Sequence, residues 1–246
     1  MENSHGDGQA GGLATPLLIP LGRRPGPLRT VFFHALGGGM IPYLGLVAHL
    51  ARKGPVHGIR ALGLEPGEDP DASVPAMADR YAALLSTLPS PPDLLVGWSM
   101  GGLLAYETAQ RLPAGRPPDL LLIDSSPAPR DGTPATYGAV RTRVLRDAAA
   151  QLDPADLPRT RRTVDAHLAA RRRHSATAPY NGRALLVPCT HGDDPHQADN
   201  WARLVDDLTV RPLATDHFGA LRSPHLATLT AFLGEFLASC PAIGGR

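Results

Sequence analysis

The stretch Leu94-Leu95-Val96-Gly97-Trp98-Ser99-Met100-Gly101-Gly102 constrains this chain more than any other. An apolar, strand-like run breaks there into Gly-x-Ser-x-Gly, and Leu103-Leu104-Ala105-Tyr106-Glu107-Thr108-Ala109 follows with the pattern of a starting helix. Strand, tight turn and helix are the setting that a nucleophile elbow requires. The turn forces Ser99 into a strained backbone conformation. It also demands glycine at 97 and 101, where a Cβ would collide with the neighbouring strand or helix. Ser99 Oγ is therefore expected to stand clear of the sheet, above a helix N-terminus suited to negative charge. Gly-x-Ser-x-Gly alone is common by chance; the flanking elements make it specific.

The same alternation runs along the chain. Strand candidates lie at residues 17–20, 31–36, 56–62, 93–98, 120–124, 184–188 and 208–213. Helix candidates lie between them at 43–52, 74–88, 100–112, 198–205 and 224–238. Several strand runs are continuously apolar, as in parallel strands buried on both faces. The expected fold class is α/β, a mostly parallel sheet with helices on both faces. With 246 residues the chain can bury a substantial core as one domain without a metal or disulfide staple.

One interval breaks the rhythm. Residues 126–182 contain no convincing strand; a Pro-rich opening leads into helical candidates at about 137–151 and 154–173. An insertion this long reads as a lid over a site, the alternative being a small helical subdomain that only packs. Residues 1–14 read as a polar, Gly-rich disordered leader, which leaves 15–246 as the folded unit.

Composition excludes several classes. The formal net charge of +1 implies neither nucleic acid nor an anionic membrane as partner. Lys53 is the sole lysine in an arginine-rich chain, a pattern of codon bias. Cys189 and Cys240 are too few for a disulfide framework. No signal peptide and no apolar run of membrane-spanning length is evident, so a soluble, cytoplasmic protein is expected.

A serine hydroxyl needs a base, an anion to orient that base, and donors aimed at the developing oxyanion. Among ten histidines, His217 stands in Thr215-Asp216-His217-Phe218-Gly219, between the last strand candidate and the final helix. Loops at the carboxyl ends of parallel strands are where catalytic groups are presented. For the acid, Asp124 ends the run Leu120-Leu121-Leu122-Ile123, beside the nucleophile strand, and is preferred. Asp193 and Asp194, after the next strand, are the alternatives. The His191/Asp193/Asp194/His196 cluster lacks the compact further ligands of a zinc site, so no metal is expected. Phe33-His34-Ala35-Leu36-Gly37-Gly38-Gly39 closes an early strand with a turn in which backbone N–H groups can converge. The expected oxyanion donors are the amides of Ala35 and Met100.

Taken together, these residues resemble the thioesterases that terminate nonribosomal peptide and polyketide assembly lines, enzymes of the α/β-hydrolase fold. The resemblance rests on Phe32-Phe33-His34-Ala35-Leu36-Gly37-Gly38, Gly97-Trp98-Ser99-Met100-Gly101-Gly102, Leu121-Leu122-Ile123-Asp124-Ser125 and Asp216-His217-Phe218. Tyr43 also fits the family pattern. It implies an acid at Asp124, a helical lid, and an acyl, peptidyl or polyketidyl substrate on the phosphopantetheine arm of a carrier protein, with no cofactor of its own. The chain is closer to the terminal domains than to the type II editing thioesterases, although its initial Met suggests a free-standing protein. An editing thioesterase and a general carboxylesterase are the alternative functions. Arg159 to Arg162 and Arg171 to Arg173 read either as a solvated helix face in an arginine-rich chain or as a basic surface for an acidic carrier protein.

Overall fold

The computed structural model describes residues 15–129, 134–192 and 194–239. The leader at 1–14, Asp193 and Cys240 lie outside the described residues. Seven strands are described: β1 (Leu18–Gly22), β2 (Thr30–Phe33), β3 (Val56–Ile59), β4 (Leu94–Trp98), β5 (Asp119–Ile123), β6 (Tyr180–Val187) and β7 (Val205–Val210). They form one sheet in the order β1-β3-β2-β4-β5-β6-β7. Only β1, at the edge, runs antiparallel to its neighbour; the other pairings are parallel. This is the mostly parallel α/β-hydrolase sheet that the sequence leads one to expect.

The continuous apolar runs are explained by helices on both faces. Every residue of β4 and β5 is buried. Their side chains alternate between two cores, with Leu95, Leu120 and Leu122 on one face and Leu94, Val96, Leu121 and Ile123 on the other. The first face is covered by α2 (Val74–Leu85) and α3 (Met100–Ala109). The second is covered by α1 (Leu44–Leu50) and α7 (His225–Ala238). Each such side chain contributes about 1.5–3 kcal/mol by leaving water, so the strand ends around position 99 stand on the most deeply buried part of the molecule. α3 is buried along its whole length. Its one carboxylate, Glu107, is met by Arg111 Nη1 at 2.8 Å and His174 Nε2 at 2.8 Å.

Two helices, α4 (Pro134–Ala149) and α5 (Leu157–Arg172), occupy the interval between β5 and β6, and α6 (Gln197–Ala202) joins β6 to β7. The arginines of α5 serve the insertion itself. Arg171 donates to the Ser126 carbonyl at 2.9 Å, Arg159 to the Leu64 carbonyl at 3.1 Å and Arg173 to the Ala72 carbonyl at 3.1 Å. Three arginines thus brace the insertion against neighbouring segments, while Arg161, Arg162, Arg172 and Arg173 are exposed.

Candidate active site

Ser99 follows β4 directly, with φ 59° and ψ −125°. Asp124 follows β5 directly, with φ 41°. These are the two non-glycine residues of positive φ among the described residues. Backbone strain of this kind costs about 1–3 kcal/mol per residue and persists where the surroundings over-determine it. Both strained residues sit at the carboxyl ends of adjacent central strands.

Close packing enforces the turn. A Cβ on Gly97 would lie 2.0 Å from the Gly101 carbonyl carbon. A Cβ on Gly102 would lie 2.5 Å from both Cβ and Oγ of Ser125. Gly102, the glycine that follows the elbow motif, and the Asp-Ser pair just after β5 are therefore two sides of one contact. It lets α3 start against the residue that follows Asp124.

The Asp124 carboxylate is buried and fully directed. Oδ2 accepts from His217 Nδ1 at 2.5 Å, while Oδ1 accepts from the Cys189 amide at 3.0 Å and from Gln197 Nε2 at 3.1 Å. A carboxylate can only accept here, so Nδ1 carries the proton and Nε2 keeps its lone pair. The imidazole lies 4.9 Å from the Trp98 ring and meets the edge of Phe218 at 5.1 Å and 90°. Trp98 Nε1 also donates to the His217 carbonyl at 3.1 Å. Ser99, His217, Trp98 and Ala35 line one cavity of about 390 Å³, closed on its far side by α4.

The glycine-rich turn after β2 stands opposite. Gly38 N–H donates to the Ala35 carbonyl at 2.9 Å and closes it. Among the described residues no acceptor takes the amide protons of Ala35 or Met100. Tyr43 ties this turn to the elbow: its hydroxyl donates to the Phe33 carbonyl at 2.7 Å and accepts from the Trp98 amide at 2.8 Å. Burial pushes the Tyr43 phenol well above its ordinary range, so it stays protonated. Tyr43→Phe orphans both backbone groups. We expect about 1–3 kcal/mol of lost stability and a roughly tenfold slower turnover as the loop loosens, read by thermal melting and steady-state rates. An unchanged rate in a destabilised variant would make Tyr43 a purely structural clasp.

Beneath the turn lie two further histidines. His34 is fully buried, with Nε2 2.6 Å from the Tyr81 hydroxyl and its ring stacked on His167 at 4.9 Å and 16°. His167, on α5, places Nδ1 2.9 Å from the Leu36 carbonyl and so ties the insertion to the glycine-rich turn. Burial, then the charge of His167, pushes His34 down to about 3 from an ordinary value of 6.5; burial lowers His167 likewise. Both are neutral in the fold and charge more readily when unfolded. The stabilisation from His34 is complete above about pH 6.5 and is lost as pH falls toward 3, and His167 acts in the same direction. Between pH 6.5 and 4.5 His34 should remove about 2–3 kcal/mol. Urea midpoints should fall less steeply over that window in His34→Gln; parallel slopes would contradict this.

Asp194, an alternative acid, instead accepts from the His196 amide at 3.2 Å at the entrance to α6. The His217 imidazole is bonded to Asp124. No group of three or more His, Cys, Asp or Glu able to hold a metal occurs among the described residues. None of their helices is long and apolar enough to cross a membrane. Tyr43 and His34 stand within the family pattern, but their contacts, like that of Gln197, join segments remote along the chain and carry no local signal in the sequence.

A sequence model of the Thioesterase domain family matches residues 29–236. The nonribosomal peptide synthetase btyA of Aspergillus terreus is 36% identical over 112 residues, 45% of this chain and 12% of that protein. The chain thus spans about a tenth of the length of this relative. The NocB thioesterase domain from the nocardicin cluster, solved with a fluorophosphonate nocardicin G analog, superimposes with TM-score 0.69 at 27% identity, covering 90% of this chain and 100% of that one. YbtT, a type II thioesterase from the yersiniabactin NRPS/PKS pathway, shares the fold with TM-score 0.71 at 18% identity, over 94% and 100% of the two chains. The NocB thioesterase domain and the type II thioesterase superimpose about equally well, so the fold does not assign this chain to either type. The match over residues 29–236 shows the family: this chain belongs to the thioesterase domain family, hydrolases that act on thioesters.

Proposed function

We propose that the chain releases an acyl, peptidyl or polyketidyl group from the phosphopantetheine thiol of a carrier protein through an acyl-Ser99 intermediate. The observation that carries this reading is the Asp124–His217 hydrogen bond of 2.5 Å beside a cavity lined by both His217 and Ser99. His217 Nε2 takes the Ser99 proton as Oγ bonds to the thioester carbonyl carbon. The oxyanion is held by the amides of Ala35 and Met100, two donors with no internal acceptor among the described residues. As the tetrahedral centre collapses, the C–S bond breaks and His217 returns the proton to the departing sulfur. Asp124 holds the tautomer and stabilises the imidazolium without taking its proton. Water, activated by the same imidazole, then gives a free acid; an internal hydroxyl or amine would give a ring.

Thioesters are already activated, so the insertion's part is to position one nucleophile and exclude the other. The test is thiol release from an acyl-pantetheine thioester against alcohol release from the matching p-nitrophenyl ester. The thioester is expected to have the higher kcat/KM. A clear preference for the ester would restore the general carboxylesterase reading.

A further inference from the structure

The walls of the Ser99 cavity differ sharply from its floor. Hydrogen-bonding groups at the reacting end belong to Ser99, His217 and the glycine-rich turn, and the other polar side chains on the lining are Asp147, Gln151 and Arg222. Between them α4 presents Val140, Val144 and Ala148, three residues at a spacing of four that share one helical face, and Leu152 follows in the turn after it. Leu221 and Phe218 stand among the facing walls, and the rim carries Ile41, a large apolar side chain left 46% exposed. The one carboxylate on these walls, Asp147, is already engaged, with Arg143 Nε at 3.1 Å and Arg222 Nη2 at 3.7 Å. Arg143 in turn lies over the Phe218 ring, 4.7 Å from its centroid. These contacts strap α4 to the His217 loop.

A peptidyl chain laid against the apolar face of α4, away from Gln151 and Arg222, would leave amide N–H and C=O groups without partners, each a penalty of tenfold or more. An alkyl or aryl chain loses nothing by entering and gains by leaving water. We propose that the buried part of the acyl group is hydrocarbon in character, without backbone amides, and that Ala148 sets the length admitted. The inference rests on the proposed release of a pantetheine-borne acyl group and narrows its substrate class.

Three probes of the wild-type protein separate the two claims: acetyl-, octanoyl- and N-acetylglycylglycyl-pantetheine. The last two have acyl chains of the same number of backbone atoms and differ by two amides. Octanoyl is expected to exceed acetylglycylglycyl at least 100-fold in kcat/KM. In Ala148→Leu and then Ala148→Phe, the octanoyl-to-acetyl ratio should fall stepwise, about tenfold in the latter. Acetyl and acetylglycylglycyl turned over as well as octanoyl would overturn the hydrocarbon class and leave thioester release standing. A ratio unmoved by both Ala148 variants would remove Ala148 as the length determinant. No thiol released from any of the three would overturn the proposed function, and this inference with it.

Discussion

Ser99→Ala should lower kcat/KM toward an acyl-pantetheine thioester by about 10⁴–10⁶-fold, with the fold intact. The residue occupies a backbone conformation of φ 59° that alanine tolerates no better than serine, and the close approach of Gly97 to Gly101 that shapes the turn is untouched. What disappears is the atom that, in the proposed mechanism, bonds to the carbonyl carbon. The residue of activity left is that of substrate binding and of the Ala35 and Met100 amides, which still polarise the carbonyl for attack by water. His217→Ala should fall in the same range, and the double variant little further, because nucleophile and base act as one unit. A Ser99→Ala protein that keeps a tenth of its activity would place the nucleophile elsewhere.

Asp124→Asn has a comparable expected effect, about 10⁴-fold in kcat, for a different reason. One carboxylate oxygen of Asp124 accepts from two donors, the Cys189 amide and Gln197 Nε2, and the other accepts from His217 Nδ1. An asparagine must keep its oxygen toward the two donors, which turns its NH₂ toward His217. Nδ1 then becomes the acceptor and the imidazole proton moves to Nε2, the wrong tautomer for taking the Ser99 proton. The variant should melt close to wild type, and the ring ¹⁵N shifts of His217 should show the tautomer exchanged. Asp124→Ala should lose a similar rate and also about 3 kcal/mol of stability, since three buried donors lose their acceptor. Near-normal turnover by Asp124→Asn would reopen the acid's identity, with Asp193 and Asp194 the next to replace.

How much of this was legible in the sequence depends on the range of the interactions involved. The elbow, the Asp-Ser pair and the His217 loop are local patterns, and the structure brings the first two to adjacent strand ends, with His217 reaching Asp124 from the loop after β7. Strand limits were less legible. β6 begins at Tyr180, four residues before the apolar run at 184, because Asn181 and Arg183 look like loop. Yet Arg183 lies against the Phe236 ring, 4.3 Å from its centroid, and donates to the Phe236 carbonyl. β7 is shifted to Val205–Val210 from the expected 208–213, since its exposed Asp206 and Asp207 hide the start of the strand. β2 ends at Phe33 instead of 36, where the chain leaves the sheet to make the glycine-rich turn.

The less visible parts of the site are those made by distant side chains. Gln197 reaches Asp124 across 73 residues, and His167 reaches Leu36 across 131. A histidine on a polar helix reads as a solvated group until its burial against His34 is seen. The arginine-rich α5 carries a second role that its charge pattern hides: Arg159, Arg171 and Arg173 each donate to a backbone carbonyl of another segment.

The most direct test of the central claim is intact-protein mass spectrometry after brief exposure to an acyl-pantetheine thioester, wild type beside Ser99→Ala. The account predicts an adduct of the acyl mass on wild type, mapped by peptide digestion to the segment containing Ser99 and missing from the variant. An adduct of equal yield on Ser99→Ala, or rapid thiol release with no trappable Ser99 adduct under denaturing quench, would contradict it.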